Sequence, residues 1–236
     1  MKDQKIVVTG ASRGLGAAIA LRLASSGNQV FAWARSQGQL AEIAAQDPTG
    51  HIVPMQVDVT AVEQIEAAYQ TIEQEHGPIS VLINNAAVVQ RDHFWKQPLE
   101  VMDQMIDINL NGTMYSTRLL LPYMLPRQSG RIINVSSVAG TRGIELQAAY
   151  CASKHGVVGF ADALAQELLP HGIVMSTICP GAIDTPLWNE QTNPYPGDLA
   201  NVMQPEELAE LIEFLLNQPA RTMYKRLVMF PTNEWH

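Results

Sequence analysis

Two side chains in this sequence have the type and spacing for proton chemistry. They are Tyr150 and Lys154, in Tyr150-Cys151-Ala152-Ser153-Lys154. Residues i and i+4 share a helix face, so the phenol and the ammonium point the same way. A free phenol has a pKa of about 10 and must fall by roughly 3 units, about 4 kcal/mol, to exchange a proton near neutrality. One ammonium about 4 Å away supplies roughly 4 kcal/mol at an effective dielectric near 20. Lys154 can therefore account for most of that shift, provided desolvation does not oppose it. Taken alone, the pair is usually no more than a helix face. Ser137 adds to it. It follows the strand-like run Ile132–Val135, and in an open parallel sheet ligands sit beyond the carboxyl ends of strands. A serine hydroxyl there can bond a substrate oxygen, although turn serines are also common. Asn109 falls inside a long helical stretch where an amide does not help the helix; by itself it reads as an exposed polar residue.

The elements that must position these groups alternate along the chain. Short apolar β-rich runs fall at Ile6–Thr9, Gln29–Trp33, Ile52–Val57, Val81–Asn84, Ile132–Val135, Val174–Ile178 and Leu227–Phe230. Stretches with helical spacing fall at Leu15–Ser26, Gln39–Ala45, Ala61–His76, Leu99–Leu125, Tyr150–Leu169 and Pro205–Asn217. Strands apolar on both faces fit a parallel sheet covered on each side. The expected fold is α/β: a doubly wound, Rossmann-type, parallel seven-stranded sheet with helices on both faces. We expect one dinucleotide-binding domain over residues 1–236, with no linker or internal repeat. Thr185–Asn201, rich in Pro186, Pro194, Pro196 and Gly197, is the least regular region. A substrate loop is expected at about 185–204.

Thr9-Gly10-Ala11-Ser12-Arg13-Gly14-Leu15-Gly16 joins the first strand to the first helix. Such a turn offers free backbone N–H groups and the positive end of a helix dipole, and glycines let a pyrophosphate come close. Glycines alone would mean only tight packing; their place between first strand and first helix favours phosphate binding. In dinucleotide folds an acidic residue near the end of the second strand commonly bonds the ribose of NAD. Here that strand runs into Ala34-Arg35-Ser36, with no carboxylate. Arg35 and Arg13 together suit a 2′-phosphate, which a guanidinium grips with a planar fork. NADP(H) is the expected cofactor.

The GxxxGxG spacing resembles the short-chain dehydrogenase/reductase family, whose cofactor turn reads TGxxxGxG. The resemblance covers nearly the whole chain and strengthens at each later motif. It implies cofactor contacts from Gly10, Ser12, Arg13, Gly14, Leu15 and Gly16 in the turn and from Arg35 after the second strand. Asp58 and Val59 would lie against the adenine, although Asp58 reads equally well as a turn residue before a helix. Asn85 and Ala86 belong to Asn84-Asn85-Ala86-Ala87, which departs from the family's NNAG at Ala87. An alanine fits there if its φ stays negative. Pro180, Gly181, Ile183 and Thr185 match a PGxxxT stretch that meets the nicotinamide carboxamide. Asn109, Ser137, Tyr150 and Lys154 match the family's catalytic set. Asn109 would kink its helix and hold a water bonded to the lysine, and Tyr150 and Lys154 would also touch the cofactor.

The implied activity is NADP(H)-dependent hydride transfer between nicotinamide and a small or medium carbonyl or secondary alcohol, in a pocket lined by Val88, Val89, Ala139, Arg142, Gln147, Leu187 and Trp188. The alternatives are an NAD-dependent alcohol dehydrogenase of the same family and a non-catalytic NADPH-sensing protein. A homodimer or homotetramer is implied by the resemblance only. The ending Leu227-Val228-Met229-Phe230-Pro231-Thr232 lacks the family's common VDGG, which puts the usual C-terminal contacts in question.

Composition excludes other classes. With 47% apolar and 16% charged residues the chain can bury an ordinary core. Its net charge of -8 repels nucleic acid and anionic membrane surfaces, so neither is expected as a partner. Two cysteines, Cys151 and Cys179, make no disulfide scaffold, and the spacing of Cys and His marks no metal site. No apolar run is long enough to span a bilayer, and the amino terminus has no signal-peptide pattern, so a cytoplasmic location is expected.

Overall fold

The computed structural model describes residues 2–219 and 221–234. Seven strands pair in the order β3-β2-β1-β4-β5-β6-β7. They are β1 (Lys5–Thr9), β2 (Gln29–Ala34), β3 (Ile52–Gln56), β4 (Val81–Asn84), β5 (Gly130–Val135), β6 (Ile173–Pro180) and β7 (Arg226–Met229). Every pairing is parallel, with Ile6 opposite Val30 on one side and Val81 on the other. This is the doubly wound α/β sheet expected from the alternation of elements.

The strand pattern explains the layering. Successive side chains leave a strand on opposite faces. Ile6 and Val8 join Val30, Ala32, Ile83 and Ile133 on one face; Val7 joins Phe31, Trp33, Leu82 and Ile132 on the other. The first face is covered by α1 (Gly14–Ser25), α2 (Gln37–Ala45) and α7 (Pro205–Leu216). The second is covered by α3 (Val62–Glu75), α5 (Gly112–Met124) and α6 (Ala148–Leu168). The interior strand β6 is buried along its whole length, whereas the edge strands β3 and β7 are partly open. Pro54 sits in β3, an edge strand, where a missing ladder donor is tolerated.

One expectation needs correction. Leu99–Leu125 is not one helix. A π-helical turn at Asp107–Asn111 separates α4 (Leu99–Ile106) from α5. Such single π turns bend a helix and re-aim the side chains on it. Among the described residues no helix is long and apolar enough to cross a membrane.

From β1 the chain winds toward β3 on one side and, from β4 onward, toward β7 on the other. The crevice between β1 and β4, at the carboxyl ends of the strands, is where such sheets take a ligand.

Candidate active site

That crevice opens into a cavity of about 790 Å³. This lies within the range of roughly 300–1,000 Å³ typical of pockets for small molecules and cofactors. All the predicted cofactor residues reach its wall: Gly10, Ser12, Arg13, Gly14, Leu15, Gly16, Arg35, Asp58, Val59, Asn85, Ala86, Tyr150, Lys154, Pro180, Gly181, Ile183 and Thr185. Ser137 reaches it as well.

At the β1–α1 turn the glycines are needed for close approach. Gly10 has φ +66, and a Cβ there would sit 2.8 Å from the Ala86 Cα. A Cβ on Gly16 would sit 2.2 Å from the Gly10 carbonyl oxygen. The end of β4 is tied to this turn: the Asn85 and Ala86 N–H groups both donate to Thr9 Oγ1 at 3.0 Å, and Asn85 Nδ2 donates to the Thr9 carbonyl at 3.0 Å. No side chain caps the N-terminus of α1, and no acidic residue lies in its first turn. Its free N–H groups therefore face the cavity with nothing of their own charge to oppose an anion. These features fit a pyrophosphate.

At the exit of β2 the wall is formed by Ala34, Arg35, Ser36 and Gln39, with Arg13 also on the lining. No carboxylate comes from this stretch. Among the described residues neither Arg13 nor Arg35 belongs to an ion pair. Asp58 is a turn residue that also lies on the cavity wall. Its carboxylate accepts from the Thr60 N–H at 2.9 Å and the Thr60 hydroxyl at 2.8 Å, forming a turn, while the residue lines the cavity. Ala87 is not among the residues with positive φ, so the alanine in place of the family's glycine costs no strain.

At the other end, Tyr150 and Lys154 occupy the first two turns of α6, both buried. Ser137 precedes a short 3-10 turn, where its Oγ accepts from the Ala139 N–H at 3.1 Å and donates to the Pro180 carbonyl at 3.4 Å. The close approach of this turn to α6 depends on Gly140, since a Cβ there would sit 2.7 Å from the Lys154 carbonyl.

The electrostatics differ from the expectation. Burial pushes the Tyr150 phenol up to about 12, with the Ser137 hydroxyl pulling the other way. Burial also pushes the Lys154 ammonium down to about 8. Lys154 Nζ donates to the Val135 carbonyl at 3.0 Å and stands 5.8 Å from the centre of the Tyr150 ring. In the protein by itself burial dominates and the phenol keeps its proton.

Asn109 lies one layer behind the wall, 1% exposed, within the π turn. Its amide accepts from the Val88 N–H at 2.8 Å and donates to the Val88 carbonyl at 2.9 Å and to Ser153 Oγ at 3.0 Å. The predicted substrate-pocket residues Val88, Val89, Arg142, Gln147, Leu187 and Trp188 line the cavity; Ala139 does not. It is fully buried and packs with Met105, Ala149, Tyr150 and Cys151, because the 3-10 turn after Ser137 aims it away from the cavity.

Several wall residues were not singled out by the sequence, among them Arg91, Ile144 and Glu234, and Tyr195 only as part of the expected substrate loop. Glu234 had one topological signal: a segment leaving the last strand of a parallel sheet departs from the carboxyl edge, beside the ligand. Cys151 and Cys179 are free, buried thiols, both pushed up by burial. Among the described residues no three of His, Cys, Asp and Glu gather as metal ligands would.

With this geometry in place, comparison with known proteins gives the class. The family model described as short chain dehydrogenase matches residues 4–196. A 3-oxoacyl-[acyl-carrier-protein] reductase of Synechocystis sp. is 38% identical over 226 residues, 92% of this chain and 90% of that protein. The crystal structure of an actinorhodin polyketide ketoreductase with NADPH superposes with a TM-score of 0.87 at 31% identity, covering 97% of each chain. An alcohol dehydrogenase of the archaeon Thermococcus sibiricus, complexed with 5-hydroxy-NADP, shares the fold with a TM-score of 0.89 at 24% identity, covering 100% of this chain and 99% of its own. The chain belongs to the short-chain dehydrogenase family and is an oxidoreductase.

Proposed function

We propose that the protein is a single-domain, NADP(H)-dependent carbonyl reductase acting on a small or medium ketone or aldehyde. The observation that carries this reading is a single cavity with a glycine turn and two unpaired arginines at one end and Ser137, Tyr150 and Lys154 at the other. The relatives named as ketoacyl and polyketide reductases support a carbonyl substrate, and the one solved with NADPH supports the cofactor.

The residues of the turn and the N–H groups of α1 hold the pyrophosphate, and Arg13 and Arg35 grip the 2′-phosphate. The bound nicotinamide supplies the hydride. Ser137 Oγ bonds the carbonyl oxygen and aims it at Tyr150. Tyr150 gives its proton to that oxygen as negative charge develops there. In the protein by itself burial keeps the phenol protonated, the form from which it can donate. Lys154 places its ammonium behind the phenol and holds the ribose hydroxyls. Asn109 fixes the π turn behind it and supports the path by which the proton is replaced. The loop at about 185–204 closes over the substrate. The protein works in the cytoplasm as a homodimer or homotetramer, a state that sedimentation of the purified chain reads directly.

The test is loss of NADPH absorbance against a panel of aldehydes, ketones, quinones and 3-oxo esters. Turnover of at least one, with NADPH strongly preferred over NADH, is the expected outcome. Equal or better use of NAD with alcohols would favour the dehydrogenase reading. Tight NADPH binding with no turnover across the panel would favour a sensor.

A further inference from the structure

The polypeptide after β7 returns to the cavity. The Glu234 N–H donates to the Pro231 carbonyl at 3.0 Å, a turn that brings the Glu234 carboxylate onto the cavity wall. Its Oε2 accepts from the Ala182 N–H at 3.0 Å, and its Oε1 accepts from the Tyr195 hydroxyl at 2.6 Å. One side chain thus joins the loop after β6 to the substrate loop. Gly181 makes room for it: a Cβ there would sit 2.9 Å from Glu234 Oε2 and 3.0 Å from Pro231 Cδ. The far side of the link is also anchored. The Tyr195 ring meets Trp188 edge-on at 4.9 Å, and Trp188 Nε1 donates to the Ile183 carbonyl at 2.9 Å. Ala182, Glu234, Tyr195, Trp188 and Ile183 therefore form a closed ring of contacts. The start of the return is held too, with Phe230 under the Arg142 guanidinium at 5.2 Å.

We propose that Glu234 is a positioning residue: it latches the substrate loop, through Tyr195, to the backbone of the loop after β6, and so shapes the carbonyl-binding end of the cavity. The proposal rests on the reading that this end takes the nicotinamide and a carbonyl substrate. Burial and the neighbouring carboxylate push the Tyr195 phenol well above its ordinary range, so it stays a donor to Glu234 at any working pH.

Four variants test this: Glu234→Ala, Glu234→Gln, Tyr195→Phe and the double variant Glu234→Ala/Tyr195→Phe. Hydrogen exchange of residues 182–203 is measured on the protein alone. Kinetics use NADPH and a carbonyl compound that the unsubstituted protein reduces. Losing a hydrogen bond to a charged group should speed exchange of the substrate loop by roughly tenfold in each single variant. The double variant should be no faster than Glu234→Ala, because both substitutions cut one link. KM for the carbonyl should rise about tenfold with a smaller change in kcat. Glu234→Gln should restore most of both, since its amide can accept from Ala182 and donate to Tyr195. Unchanged loop exchange, additive effects in the double variant, or faster exchange with unaltered KM would each overturn the proposal. Absence of any carbonyl turnover by the unsubstituted protein would count against the functional reading, while the exchange data would still decide the latch.

Discussion

The Asn109 amide donates to the Ser153 hydroxyl at 3.0 Å, and that hydroxyl donates to the Tyr150 carbonyl at 2.7 Å. Together with the two bonds to Val88, one buried amide joins the loop after β4, the π turn and the helix that carries the phenol. Asn109→Ala leaves the Val88 N–H and carbonyl without their partner. Each such loss costs about 1–3 kcal/mol, so urea unfolding should show a stability loss of at least about 2 kcal/mol. Ser153→Ala removes a smaller share and should lose about 1 kcal/mol. Equal stability of wild type and Asn109→Ala would contradict the joint described above.

Tyr150→Phe keeps the ring in its cluster with Met105, Ala139 and Cys151 and removes only the hydroxyl that carries the proton. Carbonyl reduction should fall by about 10²–10⁴-fold, the usual contribution of a positioned acid. NADPH binding, read by fluorescence titration, should survive. Retained turnover would remove Tyr150 from the reaction.

Arg35→Asp replaces the cation proposed to grip the 2′-phosphate with a carboxylate that would repel that phosphate and can accept a ribose hydroxyl. NADPH affinity should fall by about 10–100-fold, as for loss of a charge-assisted hydrogen bond, while NADH affinity rises. Calorimetric titration of both nucleotides decides it. Unaltered preference would place the 2′-phosphate elsewhere.

The buried ammonium has a signature in stability. In the folded protein Lys154 is held down at about 8, against 10.5 for the free side chain. Between those values the unfolded chain binds a proton that the folded one has released, so folded stability gains as pH rises. The stability of wild type relative to Lys154→Met should therefore climb from pH 8 to 10.5, by up to about 3 kcal/mol. The lost bond to the Val135 carbonyl offsets the whole curve without changing its slope. Denaturant midpoints at several pH values measure it, and a flat difference would mean the ammonium is solvated.

The residues legible in the sequence are those whose signal is local. Gly10, Gly14 and Gly16 announce a strand-to-helix turn by spacing, and Tyr150 and Lys154 share a helix face by arithmetic. The alternation of apolar runs was enough to set the sheet, since parallel strands are buried on both faces. The π turn at Asp107–Asn111 was not legible in the spacing, because one extra residue barely disturbs a helical pattern; only the family resemblance, through Asn109, implied a kink there. Ala139 was misplaced because closeness to Ser137 along the chain does not fix which way a 3-10 turn aims its side chains. The phenol's electrostatics depended on burial, which spacing does not report. Ser153, Tyr195 and Glu234 each make a hydrogen bond to a side chain 39 or more residues away, and nothing nearby in the chain encodes such pairings.

The π turn also determines which kind of genetic lesion this segment can absorb. It holds an additional residue between two otherwise ordinary helices, and each residue of an α-helix advances the phase by about 100°. Deleting one position there would let the backbone run straight while rotating α4 against α5 by that angle. Met105 would swing out of its cluster beside Tyr150, or Asn109 would lose the loop it grips. Substitutions within the turn perturb single contacts, whereas a one-codon deletion resets the phase of everything on one side of it.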